Sequence, residues 1–321
     1  MTERFLVTGA MGCLGAWVTQ TLRRQGVDVV AFDLSTNRSR FDLIVDEADR
    51  SGVEFVSGDL TDSDSVEQAV GSRGVTHVIH CAALQIPFVR ANPSMGAQVN
   101  VTGTVNVFEA VRHQGDAIAG FAWASAAGVF GPPDLYPDGI VRDDSTQHPM
   151  TLYGVFKQAD EGIARIYWQD HRISSVGLRP WVIYGVGRDQ GLTSSTTVAL
   201  LAAAAGRPYE ITYGGTTLFH YAPDVAAAFV AAARAQIPGS AVFNIPGVVA
   251  SIAEFVSAIE RAKPAARGLI TYAGEPLPVT ARVDPTQIQA SLPAVPVTPL
   301  DVAVSETISR FESLVDQGIL T

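Results

Sequence analysis

An α/β chain wound in both directions around a mostly parallel sheet, with a small C-terminal cap, is the expected fold, on three observations. Short apolar runs alternate with segments of helical period from residue 4 to residue 179. A turn with glycines at 9, 12 and 15 joins the first run to the first helical segment. Hydrophobic residues make up 47% of the 321 and charged residues 17%, as in a compact globule with a large core.

The elements follow in order. Phe5 to Val7 reads as a buried strand that breaks into Thr8-Gly9-Ala10-Met11-Gly12-Cys13-Leu14-Gly15 and then into a helix from Leu14 to Gln25. A second strand, Val29 to Phe32, ends at Asp33, and a polar segment (Ser35 to Ser51) leads to a third, Glu54 to Ser57. Gly58-Asp59-Leu60-Thr61-Asp62 opens the next helix, with Asp62 or Asp59 as its cap. The fourth strand, His77 to His80, runs into Cys81-Ala82-Ala83, and a helix from Ser94 to Gln114 precedes a fifth strand, Ile118 to Ala124. After a Pro- and Gly-rich loop around 131–139, a helix from Leu152 to His171 and a strand from Ser174 to Arg179 complete the sheet.

Beyond Gly185 the pattern loosens. Helices are expected at Thr196 to Ala205, Pro223 to Ala235, Ser251 to Ala262 and Pro299 to Asp316, with a hairpin-like piece at Tyr209 to Leu218. Residues 1–184 are thus the sheet domain and 185–321 mostly the cap, partly interleaved with it. The net charge of −10 offers no basic stripe for nucleic acid or an anionic membrane. The longest apolar stretch, Val198 to Ala205, is too short to span a bilayer. With a first strand so near the N-terminus, no signal peptide is expected, and a cytoplasmic location follows. Cys13 and Cys81 are expected to fill small spaces rather than to form a disulfide or bind metal.

Strand, glycine turn and helix in that order suit a dinucleotide pyrophosphate. Gly9 permits the tight turn, Gly12 lets the backbone approach the phosphates, and the helix N-terminus presents free N–H groups. Asp33 lies about 20 residues beyond the turn, where a carboxylate holds ribose hydroxyls. Asp59 is placed to accept from an adenine amine. Tyr153 and Lys157, four residues apart, share one helix face. A nearby ammonium favours the phenolate, so Tyr153 becomes an acid–base group and Lys157 its tuner. The chain has two lysines, Lys157 and Lys263, and keeps one of them here although it supplies its other positive charge as arginine.

Together these motifs resemble the extended short-chain dehydrogenase/reductase superfamily, the branch of NAD-dependent epimerases and dehydratases. The resemblance covers roughly residues 4 to 235 and implies a Rossmann-like sheet domain with a substrate-binding cap, NAD as cofactor, a small-molecule substrate and a homodimer. By position, Gly9, Gly12, Cys13 and Leu14 would meet the pyrophosphate, Asp33 and Leu34 the ribose, and Asp59 and Leu60 the adenine. Cys81, Ala82, Ala83 and Asn100 would line the cleft, with Trp181, Tyr153 and Lys157 toward the nicotinamide end. Asp33 favours NAD over NADP, with Arg38 nearby.

Three positions depart from the family pattern. Ala126 stands where the family has its catalytic serine or threonine, and Ser125, one residue earlier, is taken as the substitute, with Thr151 as another candidate. Val182 and Thr217 replace an asparagine and an arginine found in nucleotide-sugar members, leaving Arg179, Arg188 and Arg207 as anion holders. His220 and Tyr221 either face the substrate or pack under the cap. The first expectation is therefore an NAD-dependent oxidoreductase acting on a free sugar, sugar acid or similar alcohol. The alternatives are a nucleotide-sugar 4-epimerase or dehydratase with tightly bound NAD, and a non-catalytic NAD-sensing protein.

Overall fold

The computed structural model describes residues 2–292 and 295–321. β1 (Arg4–Thr8) leads through the glycine turn into α1 (Cys13–Arg24), followed by β2 (Asp28–Asp33), β3 (Val53–Ser57), α2 (Ser63–Gly71) and β4 (His77–His80). Then come α3 (Gly103–Gln114), β5 (Gly120–Ala124), α4 (Leu152–His171), β6 (Ser175–Arg179), α5 (Ala222–Arg234), β7 (Ser240–Asn244) and α6 (Leu300–Asp316). The seven strands form one parallel sheet in the order β7-β6-β5-β4-β1-β2-β3. Strand order reverses between β1 and β4, so a crevice opens beyond their C-terminal ends.

Alternation along each strand divides the core in two. Phe5, Val7, Val29 and Ala31 face the layer that α1 and α5 cover, while Leu6, Val30 and Phe32 face the layer of α2 and α3. This is why the strands read as unbroken apolar runs.

α4 begins and ends where its sequence predicts. Thr151 caps it by accepting from Gly154 N at 3.1 Å, and Arg172, at φ 57°, turns the chain out. Asp62 caps α2, accepting from Asp64 N and Ser65 N. The helix expected from Ser94 is divided: a short helix (Pro93–Ala97) passes through a π turn (Gln98–Thr102) before α3.

Two expectations fail. The sheet does not end at the sixth strand, because the five residues of β7, flanked by Pro238-Gly239 and Pro246, pair alongside β6. Nor do Tyr209 to Leu218 form a hairpin. Tyr209–Ile211 pairs with Ile270–Tyr272, while Thr216–Tyr221 lies between Val182–Tyr184 and Val248–Ser251 in a separate three-stranded sheet. Gly214 donates to Glu275 O and Gly215 accepts from Ile252 N, so the turn's backbone bonds go to other segments. Among the described residues no helix is long and apolar enough to cross a membrane.

Candidate active site

A cleft of about 830 Å³ follows the crevice from the glycine turn to Leu277, Pro278 and Val279. At its start Gly9 has φ +69°, and a Cβ there would lie 2.7 Å from Ala82 Cα. A Cβ at Gly15 would run into the Gly9 carbonyl, whereas one at Gly12 would meet only Gly9 O, at 3.1 Å. Gly12 precedes α1 without a capping side chain, so N–H groups of its first turn remain for a ligand. That cradle fits a pyrophosphate.

Asp33 bridges the turn and the end of β2, accepting from Met11 N at 2.9 Å and from Ser35 N at 2.8 Å. Leu34, exposed, and the nearly buried Leu60 line the same end of the cleft. Asp59 lines it too and accepts from Thr61 N at 2.8 Å. Arg38 lies over the Phe55 ring rather than on the cleft wall, and Arg40 donates to both carboxylate oxygens of Asp189 (2.8 and 3.0 Å). That pair clasps the segment after β2 to the loop after Gly185, a contact with no local signal in the sequence.

Cys81, Ala82 and Ala83 carry the wall onward, with Cys13 opposite. Burial pushes both thiols up to about 12, and both cysteines are free. Asn100 is not on the wall. It is fully buried behind it and grips Leu84 with both ends of its amide, accepting from N at 2.7 Å and donating to O at 2.9 Å. It therefore shapes the loop after β4 instead of lining the cleft.

Tyr153, Lys157 and Trp181 lie together on the cleft wall. Lys157 is almost wholly buried and donates to Ala124 O at 2.8 Å and to Asp160 Oδ2 at 3.1 Å. Asp160, which the sequence reading passed over, sits three residues on, within reach of the same helix face. Trp181 N donates to His220 Nδ1 at 2.9 Å, and its indole donates to Thr280 O.

Ser125 and Ala126 both border the cleft, but the Ser125 proton is spent: its Oγ donates to Glu161 Oε1 at 2.5 Å. Glu161 also receives both arms of Arg179 at 2.7 Å, and Arg179 donates further to Asp143 O and Asn244. Arg179 is thus a strut, and Arg207 bonds to Thr321 O away from the cleft. Arg188 is the arginine of the three that lines the cleft, with Nε unpartnered among the described residues. His220 donates to Ile245 O and is driven down to about 4 by burial, so it is a neutral packed ring. Tyr221 bonds to Glu306. Neither lines the cleft.

Residues 5–245 match the family model described as the NAD dependent epimerase/dehydratase family. The chain belongs to that family. Its relatives within the family include UDP-glucuronate 4-epimerase 4 of Arabidopsis thaliana, 33% identical over 188 residues, covering 56% of this chain and 41% of that protein. The chain thus matches about two-fifths of the length of that plant relative. UDP-glucose 4-epimerase of Mycolicibacterium smegmatis is 32% identical over 266 residues, with 80% and 81% covered. Among solved structures, the UDP-glucose 4-epimerase of Thermus thermophilus in complex with NAD superposes with a TM-score of 0.80 at 23% identity, covering 96% of this chain and 99% of the other. MoeE5 in complex with UDP-glucuronic acid and NAD superposes with 0.79 at 26% identity, covering 97% and 99%.

Proposed function

We propose that the protein is an NAD-dependent nucleotide-sugar 4-epimerase. The observation that carries this is the continuity of one cleft from the glycine cradle, past Tyr153 and Lys157, to Arg188. A dinucleotide and a sugar carrying an anionic group have room to meet beside the phenol. The likeness to the Mycolicibacterium UDP-glucose 4-epimerase, over about four-fifths of each chain, supports the substrate class and puts this reading ahead of the free sugar expected first.

Gly9, Gly12, Cys13 and Leu14 would hold the pyrophosphate, Asp33 and Leu34 the ribose, and Asp59 and Leu60 the adenine. Cys81, Ala82, Ala83, Tyr153, Lys157 and Trp181 would surround the nicotinamide end. A carboxylate at 33 disfavours a 2′-phosphate, hence NAD. When bound, NAD supplies a reversible hydride acceptor. Tyr153 would take the proton from a sugar hydroxyl and return it to the same oxygen, with the Lys157 charge favouring its phenolate. Arg188 would hold the substrate's diphosphate or carboxylate.

Val182 and Thr217, both 3% exposed, favour a second reading, since neither supplies the polar anchor found in nucleotide-sugar members. Under it the enzyme is a dehydrogenase of free sugars or sugar acids. Incubation with UDP-sugars separates the two. The 4-epimer forming without net NADH supports epimerisation, and stoichiometric NADH from a free sugar would sink it.

A further inference from the structure

Behind the cleft wall, at the middle of α4, Lys157 and Asp160 form an ion pair with side-chain exposures of 2% and 1%. An ammonium has three N–H groups. Two are committed, to Ala124 O at 2.8 Å and Asp160 Oδ2 at 3.1 Å, which leaves one for the cleft that Lys157 lines. Asp160 Oδ1 has no partner among the described residues. Thr104, on α3, gives its one proton to Asn100 O at 2.6 Å and meets His80 Nε2 at 3.2 Å. The carboxylate is therefore turned over almost entirely to Lys157.

We propose that Asp160 is a positioning residue of the proton-transfer pair, a sealed counter-ion that fixes the Lys157 ammonium and keeps it charged toward the cleft. The inference rests on Tyr153 being the acid–base group. A buried amine with no anion beside it tends to shed its proton. Burial pulls Lys157 down and lifts Asp160 itself to about 6, which leaves the carboxylate ionised at working pH; with Tyr153 it outweighs the burial of Lys157 and leaves that ammonium above its ordinary value.

The other groups facing the pair cannot do this. From β4, His80 is driven down to about 3, mainly by burial, and burial pushes Cys81 up to about 12, so both are neutral at working pH. α3 and the π turn contribute Thr104 and Asn100, and β5 a carbonyl; none is charged. On α4 itself Glu161 is held by Arg179.

Because the chain has two lysines, the charge of Lys157 can be followed directly. Full-length protein carrying ¹³Cε-lysine is titrated by NMR, and Lys263→Arg assigns the second signal. Asp160→Asn keeps an acceptor and removes the charge. It should lower the pH at which Lys157 loses its proton by about one unit or more, and Asp160→Glu should restore it. The alkaline limb of kcat/KM should move with it. If Asp160→Asn does not fold, Asp160→Ser serves in its place. A Lys157 signal unmoved by loss of the carboxylate, with turnover intact, overturns this inference alone. A shift in a protein that turns over no sugar overturns the reading of Tyr153.

Discussion

α4 carries a buried carboxylate, Asp160, next to a mostly buried one, Glu161, and they have opposite surroundings. Glu161 receives Ser125, Gln147 and both arms of Arg179, and Arg179 in turn ties β6 to Asp143 and to Asn244 on β7. Asp160 receives Lys157 and leaves one oxygen unpartnered. Each is a carboxylate–cation pair out of water. The first is saturated and joins four segments. The second is left incomplete beside a cleft, and its cation keeps a proton free to point into it. A pair built for stability satisfies every donor and acceptor, and one that serves chemistry withholds something for a ligand.

The largest expected effect breaks the open side. Tyr153→Phe should lower kcat about 10²–10⁴-fold with the melting temperature unchanged, measured by product assay and calorimetry. Breaking the closed side should do the reverse. Glu161→Ala leaves the buried Arg179 guanidinium unpaired and should cost about 3–5 kcal/mol of stability, read from the denaturant midpoint, without moving the pH–rate profile. Arg188→Ala, at the substrate end, should raise KM about tenfold or more while the midpoint holds, since among the described residues no side-chain partner of Arg188 loses a bond. The smallest effect is expected of Ala126→Ser, which should leave kcat/KM unchanged or raise it. A sharp loss would show that this 8% exposed position needs a small side chain.

The sheet was legible because most of its strands need only local apolar residues, and α4 because the periodicity from Leu152 marks it locally, while Thr151 as its cap came only with the structure. The turn at 9–15 was legible for a different reason: its glycines are required by contacts within the turn and with Ala82. What could not be read depends on partners far along the chain. β7 is five residues long and becomes a strand by lying beside β6. The fate of Ser125 is set by Glu161, 36 residues away, and that of His220 by Trp181, 39 residues away. Asp160 was readable in principle, three positions past Lys157, yet nothing in the string tells whether that face of the helix is wet or dry.

The π turn at 98–102 leads to one more consequence. Its wider coil inserts a residue into an otherwise regular helix, and Asn100, whose amide grips Leu84, lies inside that insertion. Removing one residue from 98–102 would let the coil close to ordinary pitch and swing position 100 by about 100° around the axis. The loop after β4 would then lose its clamp, and Val99, the residue of this turn on the cleft wall, would shift with it. A shortened chain of this kind should fold with its sheet intact and bind dinucleotide loosely, so one inserted peptide unit governs how firmly the groove holds its shape.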